Sequence, residues 1–239
     1  MKTIKLFILG SFTLLFAATS CINDFTIRGN GIQATEGRII SGFDRVKSSG
    51  SFDVHITEGN EYEVIVSAEE NIIPYIETYK SGDVLHIEIR GIHSVKNRLP
   101  MEVFVTTPRL EGVKLSGSGL ITTGHFVSDD MDILLSGSGK IEMSCEAEEV
   151  DAKISGSGRI ELSGFADETD FNISGSGSIE ASNFETIDCY SAISGSGDVW
   201  IKIERFLKAS ISGSGNVFYY GNPSIETHIS GSGNVINQN

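Results

Sequence analysis

The sequence predicts an all-β protein, a right-handed parallel β-helix (a solenoid) with coils of about 18–20 residues. The tetrad Ser-Gly-Ser-Gly recurs seven times in steps of 18 to 20 residues, aliphatic residues flank every copy at two fixed phases, and no Asn-Gly or Asp-Gly turn divides the repeats into hairpins. The tetrads begin at Ser116, Ser136, Ser155, Ser174, Ser194, Ser212 and Ser230.

The flanking aliphatic residues distinguish these repeats from a flexible Gly/Ser linker. The residue before each tetrad is Leu115, Leu135, Ile154, Ile173, Ile193, Ile211 or Ile229. The second residue after each tetrad is Ile121, Ile141, Ile160, Ile179, Val199, Val217 or Val235. Because these two positions are six residues apart, they point to the same face of an extended chain.

The same alternation assigns the tetrad itself: if the backbone stays extended, both glycines face inward and both serines face outward. Successive coils would stack about 4.8 Å apart, so equivalent side chains form rows. A right-handed coil is expected because parallel crossovers have that hand. A left-handed helix of hexapeptides is the rival structure, but its third aliphatic position is interrupted by Glu185, Arg205 and Pro223.

The first twenty residues predict a signal peptide, since two lysines precede the short apolar stretch 6–18. Ala18-Thr19-Ser20-Cys21 resembles a bacterial lipobox, which implies cleavage before Cys21 and acylation of its thiol. An ordinary secretory signal that leaves a free thiol is the alternative. Ile22 follows the cysteine, which favours the outer membrane, and residues 21–35 are expected to form a tether.

Residues 36–112 are predicted to form irregular N-terminal β coils, and residues 113–239 the regular repeat. Four alternating stretches in the first region predict half-buried strands, and Asn71–Tyr79 predicts a short helix or turn that contains Pro74. Ser49-Gly50-Ser51-Phe52 is a degenerate copy of the tetrad. This region is expected to cap the stack.

The charge of the chain excludes some partners. The full chain carries a net charge of −14, and removal of residues 1–20 leaves 16 basic against 32 acidic residues. Such a chain repels nucleic acid and anionic headgroups, so the lipid is the only expected contact with a membrane. Cys145 and Cys189 lie at different phases of the repeat, which predicts two buried, unpaired thiols.

Three outward rows are candidates for binding. In the first, Glu142, Glu161 and Glu180 give way to Trp200 and Phe218, and Tyr220 lies nearby on the same face. The three aromatic side chains are the predicted ligand patch, for a cell-surface glycan or protein, with local cover by a loop or bend as the alternative. Acidic rows, which also include Asp132, Asp151 and Asp170, could hold Ca²⁺ or form a solvated face that Lys140 and Arg159 offset. The tetrad serines are expected to be structural and to hydrogen-bond along the stack.

The lipobox, Gly42-Phe43-Asp44, Thr107-Pro108-Arg109-Leu110 and the tetrads together resemble the autotransporter-adhesin head GIN domain family of Bacteroidetes-type bacteria, over about residues 36–239. The resemblance implies a β-helical fold and adhesion, with no catalytic residue, metal ligand or cofactor to transfer. We therefore expect a non-catalytic, lipid-anchored envelope protein. A structural envelope protein without a ligand and a polysaccharide-active enzyme are the alternatives. The C-terminal coil, with its open edge, is expected to support self-association.

Overall fold

The computed structural model describes residues 26–91 and 94–239, so Cys21 and the predicted signal peptide lie outside the described residues. The described residues form eighteen β-strands and one short 3₁₀ helix. The strands are β1 (Thr26–Arg28), β2 (Gln33–Arg38), β3 (Arg45–Gly50), β4 (Asp53–Glu58), β5 (Glu63–Glu69), β6 (Ile76–Ser81), β7 (Val84–Ile89), β8 (Ser94–Lys96), β9 (Glu102–Thr107), β10 (Gly112–Gly117), β11 (Leu120–Gly137), β12 (Lys140–Gly156), β13 (Arg159–Gly175), β14 (Ser178–Gly195), β15 (Asp198–Gly213), β16 (Asn216–Tyr220), β17 (Ser224–Gly231) and β18 (Asn234–Asn237).

The repeat region is a parallel β-helix, as predicted. Strands β11 to β15 are 16 to 18 residues long, and each one pairs in parallel with the next. The tetrads lie in register: Ser136 pairs with Ser155, and Ser155 pairs with Ser174. Each tetrad therefore marks the same point of successive coils, which confirms that one repeat is one coil.

The two predicted aliphatic rows form the core. From coil to coil, residues of the same phase stack directly, as Ile141, Ile160 and Ile179 do. These three side chains are fully buried, and Leu135 and Ile154 in the other row are at most 2% exposed. Burial of each such side chain contributes about 1.5–3 kcal/mol, so the rows supply much of the stability of the solenoid.

The tetrad differs from the prediction at its first glycine. Gly137 has a φ of 122°, and the first glycine of every other tetrad has a φ between 126° and 132°. The backbone therefore turns here instead of remaining extended. The second glycine, such as Gly139, is buried as predicted, and the serines of the middle coils, such as Ser136 and Ser138, are exposed. The tetrad is thus a corner rather than part of a flat strand.

The N-terminal coils stack on the repeat, but not in chain order. Strands β3 and β4 pair with β10 and β11, and β7 and β9 pair with the opposite edges of β3 and β4. The coil formed by β3 and β4 therefore lies between two coils that follow it in the sequence. Gly50 aligns with Gly117, so Ser49-Gly50-Ser51-Phe52 occupies a tetrad position, as its sequence indicates.

Antiparallel strands cover the N-terminal end of the stack. Strand β5 pairs antiparallel with β9 and β2, and β6 pairs antiparallel with β7. A 3₁₀ helix at Ile73–Tyr75 contains Pro74, where the sequence predicted a short helix or turn. Strands β1 and β2 show that the described part of the predicted tether, together with the residues after it, carries β-structure.

A buried carboxylate fixes this end. Glu69 is fully buried, and its side chain accepts backbone N–H bonds from Gly31 at 2.5 Å, Arg98 at 2.7 Å and Leu99 at 3.4 Å. Burial alone would raise the pKa of Glu69, but these bonds outweigh it and hold the pKa below its ordinary value of 4.5. Glu69 is therefore a charged anchor between the segments around Gly31 and Arg98.

The two cysteines of the repeat are unpaired and buried, in agreement with the prediction. Burial raises the pKa of each thiol to about 12, so both stay protonated at neutral pH. Within the described residues, no helix has the length and apolar character needed to cross a membrane.

Candidate functional site

One outward row on the strand after the tetrad corner carries the predicted patch. Register pairs Glu142 with Glu161, Glu161 with Glu180, Glu180 with Trp200, and Trp200 with Phe218. We call these five residues the carboxylate–aromatic row. Each lies six residues after the start of its tetrad, so the row follows directly from the repeat.

The carboxylates of this row are held by cations. Lys140 Nζ lies 2.7 Å from carboxylate oxygens of both Glu142 and Glu161, and Arg159 contacts Glu180 at 2.6 Å. The hydrogen bonds that Lys140 donates to Glu142 and Glu161 raise the pKa of Lys140, which keeps it charged. The basic residues offset the repulsion between stacked carboxylates, as the sequence suggested.

The second acidic row, which contains Asp132, Asp151 and Asp170, also has basic residues beside it. Arg45 contacts Asp132, and Lys153 contacts Asp151 at 2.8 Å. Among residues 26–91 and 94–239, no group of three or more His, Cys, Asp or Glu side chains is placed to hold a metal ion. Basic residues therefore offset part of the negative charge of both rows.

A groove of about 670 Å³ runs along the carboxylate–aromatic row. Its walls include the three glutamates, Asn183, Trp200 and Tyr220. We call it the carboxylate groove. It joins hydrogen-bond acceptors at one end to aromatic rings at the other. The predicted acidic row and the predicted aromatic patch are therefore parts of one surface.

The three predicted aromatic residues have different positions in this surface. Trp200 and Phe218 are half-buried and stack on each other, with ring centroids 5.0 Å apart and planes at 10°. Phe218 covers one face of the indole, and the other face points toward Glu180, its register neighbour. Trp200 and Tyr220 line the groove, whereas Phe218 stacks on Trp200 and is not part of the groove wall.

The row also extends toward the N-terminus, which the sequence reasoning missed. Thr122 pairs with His55, and His55 pairs with Phe104. His55 Nδ1 lies 2.8 Å from Thr122 Oγ1, and its ring stacks on Phe104 at 5.1 Å. The signal was present, since His55 lies six residues after Ser49 of the degenerate tetrad.

The sequence predicted hydrogen bonds between the outward serines along the stack, but the described part of the chain does not contain them. The first serines of the seven tetrads form a row of hydroxyl groups, which we call the hydroxyl row. Among the described residues, none of these hydroxyls has a hydrogen-bond partner. The row consists of Ser116, Ser136, Ser155, Ser174, Ser194, Ser212 and Ser230. Equivalent hydroxyls that do not tilt toward a neighbouring coil lie about 4.8 Å apart, which exceeds hydrogen-bond length. The tetrad is instead held by backbone bonds, such as Ser157 N–H to Gly137 O at 2.9 Å.

This architecture defines a class: a Ser-Gly-cornered parallel β-solenoid with long rows of outward side chains. The chain belongs to the family described as "Putative auto-transporter adhesin, head GIN domain", whose model matches residues 42–223. The family resemblance noted in the sequence is thereby confirmed. An adhesin-like protein of the cell surface or envelope is the class of function that this membership indicates.

Solved structures share the fold. A "putative adhesin" from Bacteroides fragilis has a TM-score of 0.84 at 22% identity, over 88% of this chain and 99% of its own. A "putative adhesin" from Parabacteroides merdae has a TM-score of 0.74 at 23% identity, over 90% and 99%. A "putative lipid binding protein" from Parabacteroides distasonis has a TM-score of 0.77 at 25% identity, over 90% and 100%. No curated protein matches the chain.

Proposed function

We propose that this protein is a non-catalytic, lipid-anchored adhesin of the cell envelope that binds a glycan in the carboxylate groove. The observation that carries the proposal is the position of the Trp200 ring at the end of a row of cation-held carboxylates. Acylation of Cys21 would anchor the chain, and Ile22 favours the outer membrane.

The chemistry of the groove suits a sugar. The part of the Trp200 ring that lines the groove offers an apolar surface for the C–H face of a pyranose ring. Glu161 and Glu180 offer acceptors for its hydroxyl groups, and Lys140 and Arg159 hold these carboxylates in place before the ligand arrives. Because each carboxylate is committed to a cation, the row is better suited to recognition than to proton transfer.

A glycan array probed with the whole protein tests this function. We expect binding of at least one glycan, with affinity about tenfold or more weaker in Trp200→Ala, since aromatic anchors dominate such sites. Tyr190→Ala is the matched control, because Tyr190 is also outward and half-buried but lies outside this groove. Wild-type binding to no glycan, or equal binding by Trp200→Ala, would refute the proposal.

The anchor is tested separately from the ligand. In a lipoprotein, Cys21→Ser should release the protein from the membrane fraction and abolish labelling with a fatty-acid analogue. Protease treatment of intact cells then places the groove outside or inside the outer membrane. Resistance to the protease in intact cells, with digestion after permeabilisation, would contradict a surface adhesin.

We further propose that the C-terminal coil joins to a second copy. Strand β17 pairs with β15, and no other described strand pairs with it. Ile225 and Ile229 on this strand are each 42% exposed. Such an edge can extend a sheet into another chain. Sedimentation should therefore reveal a concentration-dependent dimer that Ile229→Lys disrupts, and a strictly monomeric wild type would exclude it.

A further inference from the structure

A second groove lies before the tetrad corner, on the other side of the corner from the carboxylate groove. It has a volume of about 700 Å³ and runs from Lys114 to His228 along the stacked coils. The hydroxyl row forms one side, and the residues two positions before each serine form the other. We call it the hydroxyl groove. The serine side is the same at every coil, whereas the other side changes along the groove, through Lys114, Leu134, Lys153, Asn172, Ala192, Ser210 and His228.

The hydroxyl groove suits a linear polymer that lies along the solenoid. Ser136, Ser155, Ser174, Ser194 and Ser212 are exposed and have no hydrogen-bond partner in the described chain. Each hydroxyl can donate one bond and accept others. They repeat every coil, at about 4.8 Å, which is close to the length of one sugar unit in an extended glycan. A sugar chain could therefore meet a fresh hydroxyl at every unit.

The N-terminal end of this groove is basic. Lys114 pairs in register with Lys47, and Lys47 with His86. Neither lysine has a carboxylate within ion-pair distance in the described chain, although Lys140, Lys153 and most arginines do. Two like charges in adjacent register positions repel each other. In a chain with a net charge of −14, two unpaired neighbouring lysines therefore need an explanation.

A small cavity lies between this basic end and the hydroxyl groove. It has a volume of about 170 Å³, and its walls include Lys47, His86, Lys114 and Leu134. Lys114 and Leu134 also line the hydroxyl groove, so the two spaces are adjacent. Nδ1 of His86 is buried and lacks a hydrogen-bond partner. Asp132 lies in the wall too, but Arg45 contacts it, so the lysines remain uncompensated.

We infer that the hydroxyl groove is a second binding site, for an acidic oligosaccharide. One carboxylate or sulfate of the sugar chain would lie over Lys47 and Lys114, and the neighbouring units would bond to the hydroxyl row. The anion would relieve the repulsion between the lysines, and the hydroxyls would replace water around the sugar. This site does not rest on the function proposed for Trp200, since the two grooves share no wall residue.

Calorimetric titration of the whole protein with oligogalacturonate, hyaluronan and chondroitin sulfate oligosaccharides tests the inference. At least one of them should bind, and Lys47→Gln with Lys114→Gln should weaken it about tenfold or more, as expected for lost charged hydrogen bonds. The carboxyl-reduced or desulfated form of the sugar that binds should bind only weakly, both to the wild type and to the double lysine variant. Binding should also decline as salt is added.

Two control variants show whether binding depends on this particular pair of lysines and on this groove. Lys80→Gln with Lys96→Gln removes the same charge from exposed residues outside both spaces and should leave the affinity unchanged. Trp200→Ala should also leave it unchanged, which distinguishes this site from the carboxylate groove. Binding of none of the three sugars, equal binding by both lysine pairs, or equally tight binding of inorganic phosphate or single-stranded DNA would overturn the inference.

Discussion

The corner glycines are predicted to limit the stability of the solenoid, and Gly156 in the middle coils is the position to test. Its φ is 131°, a conformation that L residues rarely adopt. A Cβ added to it would lie closer than 3.0 Å to the carbonyl oxygen of Gly137 in the preceding coil. That oxygen accepts the N–H of Ser157 at 2.9 Å, so it cannot move without loss of this bond.

The cost of Gly156→Ala follows from these two terms. Backbone strain at such a φ costs about 1–3 kcal/mol. Loss of the backbone hydrogen bond adds about 1 kcal/mol. We therefore expect the free energy of unfolding to fall by about 2–4 kcal/mol. This is a large part of the stability of a typical domain, which is about 5–15 kcal/mol.

Alanine substitutions at two other glycines distinguish the cost of backbone strain from the cost of close approach between coils. Gly82 has a φ of 63°, but an added Cβ would meet nothing within 4 Å, so Gly82→Ala should cost only about 1–2 kcal/mol. Gly37 has neither constraint, so Gly37→Ala should be neutral or slightly stabilising. Urea unfolding followed by far-UV circular dichroism and Trp200 fluorescence measures all three. If Gly156→Ala costs no more than Gly82→Ala, the close approach between coils does not limit stability.

Three further predictions concern buried groups. Glu69→Gln should lower the melting temperature at pH 7, and the difference from wild type should close as the pH falls below 4.5, because the lowered pKa of Glu69 stabilises the fold only while the carboxylate is charged. An unchanged gap at pH 3 would contradict this. Cys145 and Cys189 should resist thiol reagents in the native protein and add two reactive thiols on unfolding, since burial raises the pKa of each to about 12. Phe171→Ala should cost about 3–5 kcal/mol in urea unfolding, and a loss below 1 kcal/mol would show that the fully buried ring is not packed as described.

The repeat region could be predicted from the sequence because, in a parallel stack of coils, residues one repeat apart lie next to each other. Every coil places equivalent residues in adjacent positions, so the row from Glu142 to Phe218 could be derived by counting from each tetrad. The rule failed at Gly137, because alternation of faces holds only for an extended backbone. The Gly-Ser-Gly part of the tetrad is compatible with a corner as well as with a strand. The period of the repeat does not distinguish these two conformations.

The N-terminal coils were harder to derive, since their stacking order differs from the chain order. Strand β3 pairs with β7 on one edge and with β10 on the other, and both partners follow it in the chain. A repeat search assumes that neighbours in the sequence are neighbours in space. Only the degenerate tetrad at Ser49 carried the register, and it would have placed His55 in the carboxylate–aromatic row.

The sequence did not predict the hydroxyl groove, because the tetrad serines were expected to be structural and to hydrogen-bond to one another along the stack. The corner needs its glycines, but the outward serine before it is exposed and unbonded, so packing places little demand on that side chain. Outward positions elsewhere have diverged between coils: the place of Glu180 is taken by Trp200 in the next coil and by Phe218 after that. All seven tetrads nevertheless keep serine at their first position. The third residue of the tetrad, such as Ser138, is also an exposed serine in all seven copies, although it lies outside the hydroxyl groove. The uniform serines are therefore a property of the whole tetrad, whereas the basic end of the groove is specific to Lys47 and Lys114.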